Sequence, residues 1–156
     1  MIEYIKGDIT EVKAPAYIMH GVNCQGKMGS GVAKALYTKW PKVKESYLRE
    51  CPEPDELKLG YSQQVFVAPS TWVINCFTQV NYGYDGKKYA SLKAIDRCIW
   101  QALSEVQTLL FDPVISMPKI GCGLGGLSWE EEVLPVIQER RNEYWCNHVK
   151  IRVYEL

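Results

Sequence analysis

Apolar residues along this chain follow two periods in turn: short alternating or continuous runs, then stretches in which they recur every three or four positions. Ile2 to Ile5 reads as a short strand, and Ala16-Tyr17-Ile18-Met19-His20-Gly21-Val22 as a mostly apolar strand of the kind buried between two helical layers. From Gly31 onward, Val32, Ala35, Leu36 and Trp40 fall at helical spacing behind Ser30, a suitable N-cap, and Pro41 stops the run. A second helix is expected from Lys42 to Arg49. Gln64 to Val67 and Trp72 to Phe77 read as strands joined across Pro69-Ser70, antiparallel if that turn is tight. The stripe Leu92, Ile95, Ile99, Leu103, Val106 and Leu110 predicts a long amphipathic helix from Tyr89 to Leu110, ended by Asp112-Pro113. Val114 to Met117 is a short strand, and Ser128-Trp129-Glu130-Glu131 matches a capping box. Pro135 then splits the helical pattern into a single turn over 129–132 and a helix with Pro135 near its first position. Val149, Ile151 and Val153 alternate with Lys150, Arg152 and Tyr154 in a closing strand. Strands and helices alternating in this way predict an α/β fold, a three-layer α/β/α sandwich around a mixed, mostly parallel sheet, with one domain spanning residues 1–156. Ligands in such folds sit at the C-terminal ends of the strands.

The 47% hydrophobic and 23% charged content is enough for a real core in 156 residues and argues against disorder. Eighteen Lys and Arg balance eighteen Asp and Glu, so the chain lacks the global positive field of a sequence-independent nucleic-acid binder. The six cysteines contain no C-x-x-C pair, and the chain begins directly in structure-like sequence with no signal-like or membrane-spanning apolar run. A cytoplasmic protein with free, mostly buried thiols is expected, with no membrane association. His20 and His148 lie far apart, and neither has a His or carboxylate at ligand spacing, so neither a metal nor a cofactor is expected.

Two glycine-rich loops follow predicted strands. Asn23-Cys24-Gln25-Gly26-Lys27-Met28-Gly29-Ser30-Gly31 leads into the first helix, and Gly121-Cys122-Gly123-Leu124-Gly125-Gly126 lies just before the capped turn. Glycines let a ligand approach backbone amides closely, and a helix start carries roughly half a positive charge. Two such loops would clasp a diphosphate, although each alone also reads as ordinary turn chemistry. Gly121, Gly123 and Gly126 fit G-x-G-x-x-G, yet only thirty residues follow, too few for a dinucleotide-binding half. No phosphate-binding G-x-x-x-x-G-K-[ST] occurs.

Gly7-Asp8-Ile9, His20-Gly21-Val22-Asn23, Gly29-Ser30-Gly31-Val32-Ala33, and Met117-Pro118 leading into Ile120-Gly121-Cys122-Gly123-Leu124 together resemble a macrodomain. The similarity runs to the closing Val153-Tyr154-Glu155-Leu156. The resemblance implies ADP-ribose binding. It places Asp8 on the adenine amino group, the Ile9 amide on a ring nitrogen and Asn23 on the distal ribose hydroxyls. It also places Gly29, Ser30, Gly31 and Val32 along one side of the ribose and diphosphate, and Cys122, Gly123, Leu124 and Gly125 along the other. Gly21, Met28, Thr78 and Gly121 complete the implied site. The alternative for Asp8 is to cap a turn before Thr10.

Where many family members end the second strand with Asn-Ala-Ala-Asn, this chain has His20-Gly21-Val22-Asn23, which resembles the branch that hydrolyses ADP-ribose 1″-phosphate. The resemblance then makes His20 and Asn23 the candidate catalytic residues. An unperturbed imidazole pKa near 6.5 would let His20 orient a water or take its proton, the alternative being a structural hydrogen bond in the interior. A related branch removes ADP-ribose from macromolecules and carries a Lys after the strand-end Thr, with an Asp in the second loop of some members. Gln79 and Gly125 stand there, which closes the lysine-adduct route. The competing readings are deglycosylation of ADP-ribosylated protein or nucleic acid by another mechanism, and a non-catalytic ADP-ribose reader. Tyr82 to Tyr89 reads as a polar aromatic loop that either folds over the ligand or covers the next helix, and Lys34, Lys39, Lys42 and Lys44 as a solvated helix face. The expected partner is ADP-ribose or its 1″-phosphate, free or attached to macromolecules, bound by a monomer.

Overall fold

The computed structural model describes residues 2–108 and 112–155. Strands β1 (Ile2–Lys6), β2 (Ala16–Asn23), β3 (Ser62–Ala68), β4 (Thr71–Gln79), β5 (Val114–Met117) and β6 (Lys150–Glu155) form one sheet in the order β1-β6-β5-β2-β4-β3. Every neighbouring pair is parallel except β3 and β4, which are joined by the Pro69-Ser70 turn. Period-two alternation sends Ile18, Val22, Val73 and Phe77 to one face, where they pack with Leu36, Val43 and Tyr47. Those three belong to helices α1 (Gly31–Lys39) and α2 (Lys42–Glu50). Met19, Ile74, Met117 and Ile151 face the other way, against helices α3 (Leu92–Val106) and α4 (Leu134–Arg141). The result is the three-layer α/β/α sandwich with two apolar cores, in which a fully buried Ile18 or Leu36 contributes about 1.5–3 kcal/mol.

Three local expectations change. Helix α3 begins at Leu92 rather than Tyr89, because the Gly125 carbonyl accepts from the amides of Tyr89 and Ala90 and Ser91 Oγ caps the Ala94 amide at 3.1 Å. At its other end the helix stops at Val106 with Gln107 as C-cap rather than running on to Leu110, and residues 109–110 lie outside the described residues. Ser128 Oγ does accept from the Glu131 amide at 3.3 Å, but Glu132 closes the reciprocal bond, its Oε1 accepting from the Ser128 amide at 3.0 Å. The turn Trp129–Val133 is π-wound, which displaces the box by one residue. Pro135 sits in the first turn of α4, directly after the π-wound turn. Among the described residues no helix is long and apolar enough to cross a membrane.

Candidate functional site

All strands but β3 run in one direction, so their C-terminal ends share one edge of the sheet. A cleft of about 960 Å³ opens there. Its walls are the end of β2 (20–23), the first glycine loop and start of α1 (26–33), Thr78 and Gln79 from the end of β4, and the second loop (118–125). The structure thus brings together His20, Gly21, Asn23, residues 28–32, Thr78 and residues 121–125. It does not bring Asp8 and Ile9 into this wall. Asp8 Oδ1 accepts from the Thr10 amide at 2.9 Å and from Thr10 Oγ1 at 2.7 Å, and these bonds hold its carboxyl below the usual range. The turn-capping alternative is therefore the role seen for that oxygen.

The loops differ in what glycine does for them. A Cβ at Gly121, where φ is +78°, would stand 2.6 Å from Ile95 Cδ1, and one at Gly125 would stand 2.6 Å from the Gly121 carbonyl oxygen. The fold itself requires those two glycines. At Gly29 and Gly123 a Cβ would meet nothing within 4 Å, so the protein alone does not need glycine there. Both border the cleft, where a missing side chain leaves backbone amides open to a ligand. Ser30 is the N-cap of α1 but its side chain makes no capping bond, which leaves the amides of the first helical turn to other acceptors.

Asn23 is committed to holding the first loop. Its Nδ2 donates to the Lys27 carbonyl at 2.8 Å, and its Oδ1 accepts from the Gln25 amide and the Tyr47 hydroxyl, each at 2.9 Å. Tyr47 Oη also accepts from the Lys27 amide at 3.1 Å. This buried tyrosine from α2 was invisible as a site residue in the sequence, where it reads only as one apolar position of a helix. Thr78 is buried with Oγ1 unpartnered among the described residues, and a Cβ at Gly21 would stand 2.7 Å from that oxygen. A side chain at position 21 would collide with that hydroxyl.

His20 departs most from expectation. It is 1% exposed, its Nε2 lies 2.5 Å from Asn75 Oδ1, and its Nδ1 has no partner among the described residues. Burial drives the imidazole pKa down from 6.5 to about 4, against a smaller opposing effect of the Asn75 hydrogen bond. The ring is neutral at physiological pH, and the unperturbed value assumed from sequence does not apply. Burial also pushes the Cys122 thiol up to about 11, so it is no thiolate nucleophile.

Charge on the walls is one-sided. Lys27, Lys44 and Lys119 line the cleft, and no carboxylate does among the described lining residues, although Lys119 Nζ is paired with Glu155 Oε2 at 2.9 Å outside that lining. Lys44 is thus more than a solvated helix face: it borders the cleft and lies over the Tyr37 ring at 4.7 Å. Tyr82 and Tyr84 also reach the cleft, while Tyr89 donates to Asp85 in the same loop.

The model of the Macro domain family matches residues 19–135, and the chain belongs to the macrodomain family. An uncharacterized 17.5 kDa protein of Enterobacteria phage T4 is 34% identical over 134 residues, spanning 83% of this chain and 84% of the phage protein. An ADP-ribose 1″-phosphate phosphatase of Candida albicans is 27% identical over 150 residues, spanning 84% of this chain and 88% of the yeast protein. Among solved structures, a protein of unknown function from Bacteroides thetaiotaomicron superposes with a TM-score of 0.85 at 29% identity, over 100% of this chain and 98% of that one.

Proposed function

We propose that this macrodomain binds ADP-ribose 1″-phosphate in the cleft and hydrolyses it to ADP-ribose and inorganic phosphate. The observation that carries the reading is the lining: two glycine loops and a helix start on facing rims, Lys27 and Lys44 with no carboxylate partner among the described residues, and no carboxylate among the described lining residues. A cleft built this way favours a ligand with several negative charges and accepts it through amides and ammonium groups. The similarity to the Candida albicans phosphatase supports the same reading.

In this reading the diphosphate lies between residues 29–32 and 122–125, and the terminal phosphate lies near His20 and Thr78. Water attacks phosphorus and the bond from phosphorus to the C1″ oxygen breaks; one proton of the water ends on that oxygen, which leaves as the hydroxyl of ADP-ribose, and the other stays on the inorganic phosphate. Amides on both rims stabilise the charge on the equatorial oxygens. His20, being neutral, accepts a hydrogen bond and orients the water; it does not deliver a proton. With no activated nucleophile on the walls, turnover is slow. Asp8 binds adenine through its second carboxylate oxygen.

The test is a substrate panel in the presence of a chelator: ADP-ribose 1″-phosphate, ADP-ribosylated protein and ADP-ribosylated DNA. Phosphate and ADP-ribose should appear in equal amounts from the first. His20→Ala should lose phosphate release and keep ADP-ribose affinity. Release of ADP-ribose from the macromolecules alone would overturn the proposal in favour of a glycohydrolase, and no release from any substrate would leave a reader.

A further inference from the structure

Strand register sets three polar side chains side by side beneath α2. His20 on β2 pairs with Asn75 on β4, and Asn75 pairs with Gln63 on β3. Each sits on the sheet face that carries α1 and α2, and Asn75 is fully buried. Consecutive hydrogen bonds join them: His20 Nε2 to Asn75 Oδ1 at 2.5 Å, Asn75 Nδ2 to Gln63 Oε1 at 3.0 Å, and Gln63 Nε2 to the Ser46 carbonyl at 2.8 Å. Asn75 Nδ2 also donates to the Val43 carbonyl at 3.2 Å.

The two carbonyls at the end of this row give it a direction. A backbone carbonyl only accepts, so Gln63 must present its NH₂ to Ser46 and its oxygen to Asn75. Asn75 must then present its NH₂ to Gln63 and Val43, and its oxygen to His20. An oxygen facing Nε2 requires the proton on Nε2. The other ring nitrogen, Nδ1, is left as a lone-pair acceptor, and it is the ring atom without a partner among the described residues.

We propose that Gln63 and Asn75 are positioning residues that lock His20 in its Nε2–H tautomer, so that Nδ1, buried beneath the cleft lining, is held as a fixed acceptor for presentation to a water or hydroxyl of the ligand. The presentation to ligand rests on the functional reading above; the tautomer does not. Anchoring by α2 makes the selection a property of the folded chain: rotating either amide would set donor against donor or acceptor against carbonyl. A His held in this way is an oriented acceptor, which suits aligning a water whose hydrogens must point away from phosphorus.

The chain has only two histidines, so long-range proton–nitrogen correlation on histidine-labelled protein reads the tautomer directly, with His148→Gln assigning the signals. The ligand-free protein should show His20 Nε2 as the protonated, pyrrole-type nitrogen and Nδ1 as pyridine-type. A protonated Nδ1, or a charged ring at neutral pH, would overturn the proposal whatever the enzyme does. In Gln63→Leu, which leaves His20 and the cleft walls intact, the Nε2–H population should fall, while the thermal melt verifies folding. With ADP-ribose 1″-phosphate, kcat should drop several-fold at unchanged KM. An unchanged tautomer in folded Gln63→Leu would remove Gln63 from the row. A correct tautomer in a protein that releases no phosphate would instead refute the phosphatase reading and leave the lock standing.

Discussion

At the scale of single residues, His20 shows how burial redirects a side chain's chemistry. Above pH 6.5 the ring is neutral in both folded and unfolded chains, and as pH falls the unfolded chain takes up a proton that the folded ring resists until about 4. Stability linked to this group is therefore fully present above 6.5 and lost across that window. The loss amounts to about 3 kcal/mol, and His20→Gln should flatten that part of the acid-unfolding curve; identical pH slopes for the two proteins would show that the ring titrates normally. Asp8 offers a second test. If its free oxygen receives the adenine amino group, Asp8→Ala should weaken ADP-ribose binding by about 1–3 kcal/mol, whereas a change in melting temperature alone would mean that Asp8 only caps its turn. The His20–Asn75–Gln63 row was not legible from sequence, since its members are 55 and 12 positions apart and only the register of three strands makes them neighbours. Tyr47 was hidden for a related reason: its ring belongs to the apolar stripe of α2, and its hydroxyl acts on a loop 20 residues earlier.

At the scale of elements, the hydrophobic periods predicted the six strands and four α-helices of the described residues, because each buries one face against the sheet or its flanking layers, but not the short 3₁₀ turns Ile9–Glu11 and Glu56–Lys58, which have no such face. Errors fell at ends, where tertiary hydrogen bonds decide. The Gly125 carbonyl captured the amides that would have begun α3 three residues earlier, and a π-wound turn moved the capping acid from Glu131 to Glu132. The glycine loops were legible as loops, but sequence did not separate glycines needed by the fold from those that leave room for a ligand. Gly121→Val should destabilise the protein by about 1–3 kcal/mol in chemical denaturation, since φ is +78° and Ile95 fills the space a side chain would take. Tyr47→Phe should loosen the first loop, seen as faster amide exchange at Gln25 and Lys27; unchanged exchange would show that Asn23 holds the loop unaided.

For the whole molecule, balanced charge hides a local asymmetry. Eighteen basic and eighteen acidic residues cancel over the chain, yet the cleft walls carry lysines without a carboxylate among the described lining residues. Affinity for ADP-ribose should therefore fall as salt rises, and Lys27→Gln should cost several-fold at low salt and little at high salt; a salt-independent affinity would argue against charge recognition. Composition could not show this, because it sums over a surface on which position is what matters. The central claim is that the two facing glycine loops grip a diphosphate through open backbone amides. Titration calorimetry with ADP-ribose on the wild type and on Gly123→Val tests it, since a Cβ at position 123 meets no protein atom within 4 Å and the melting temperature should stay close to that of the wild type. The wild type should show one site per chain and the variant at least about tenfold weaker binding, a difference of about 1.4 kcal/mol. No binding by the wild type, or equal affinity in both proteins, would contradict it.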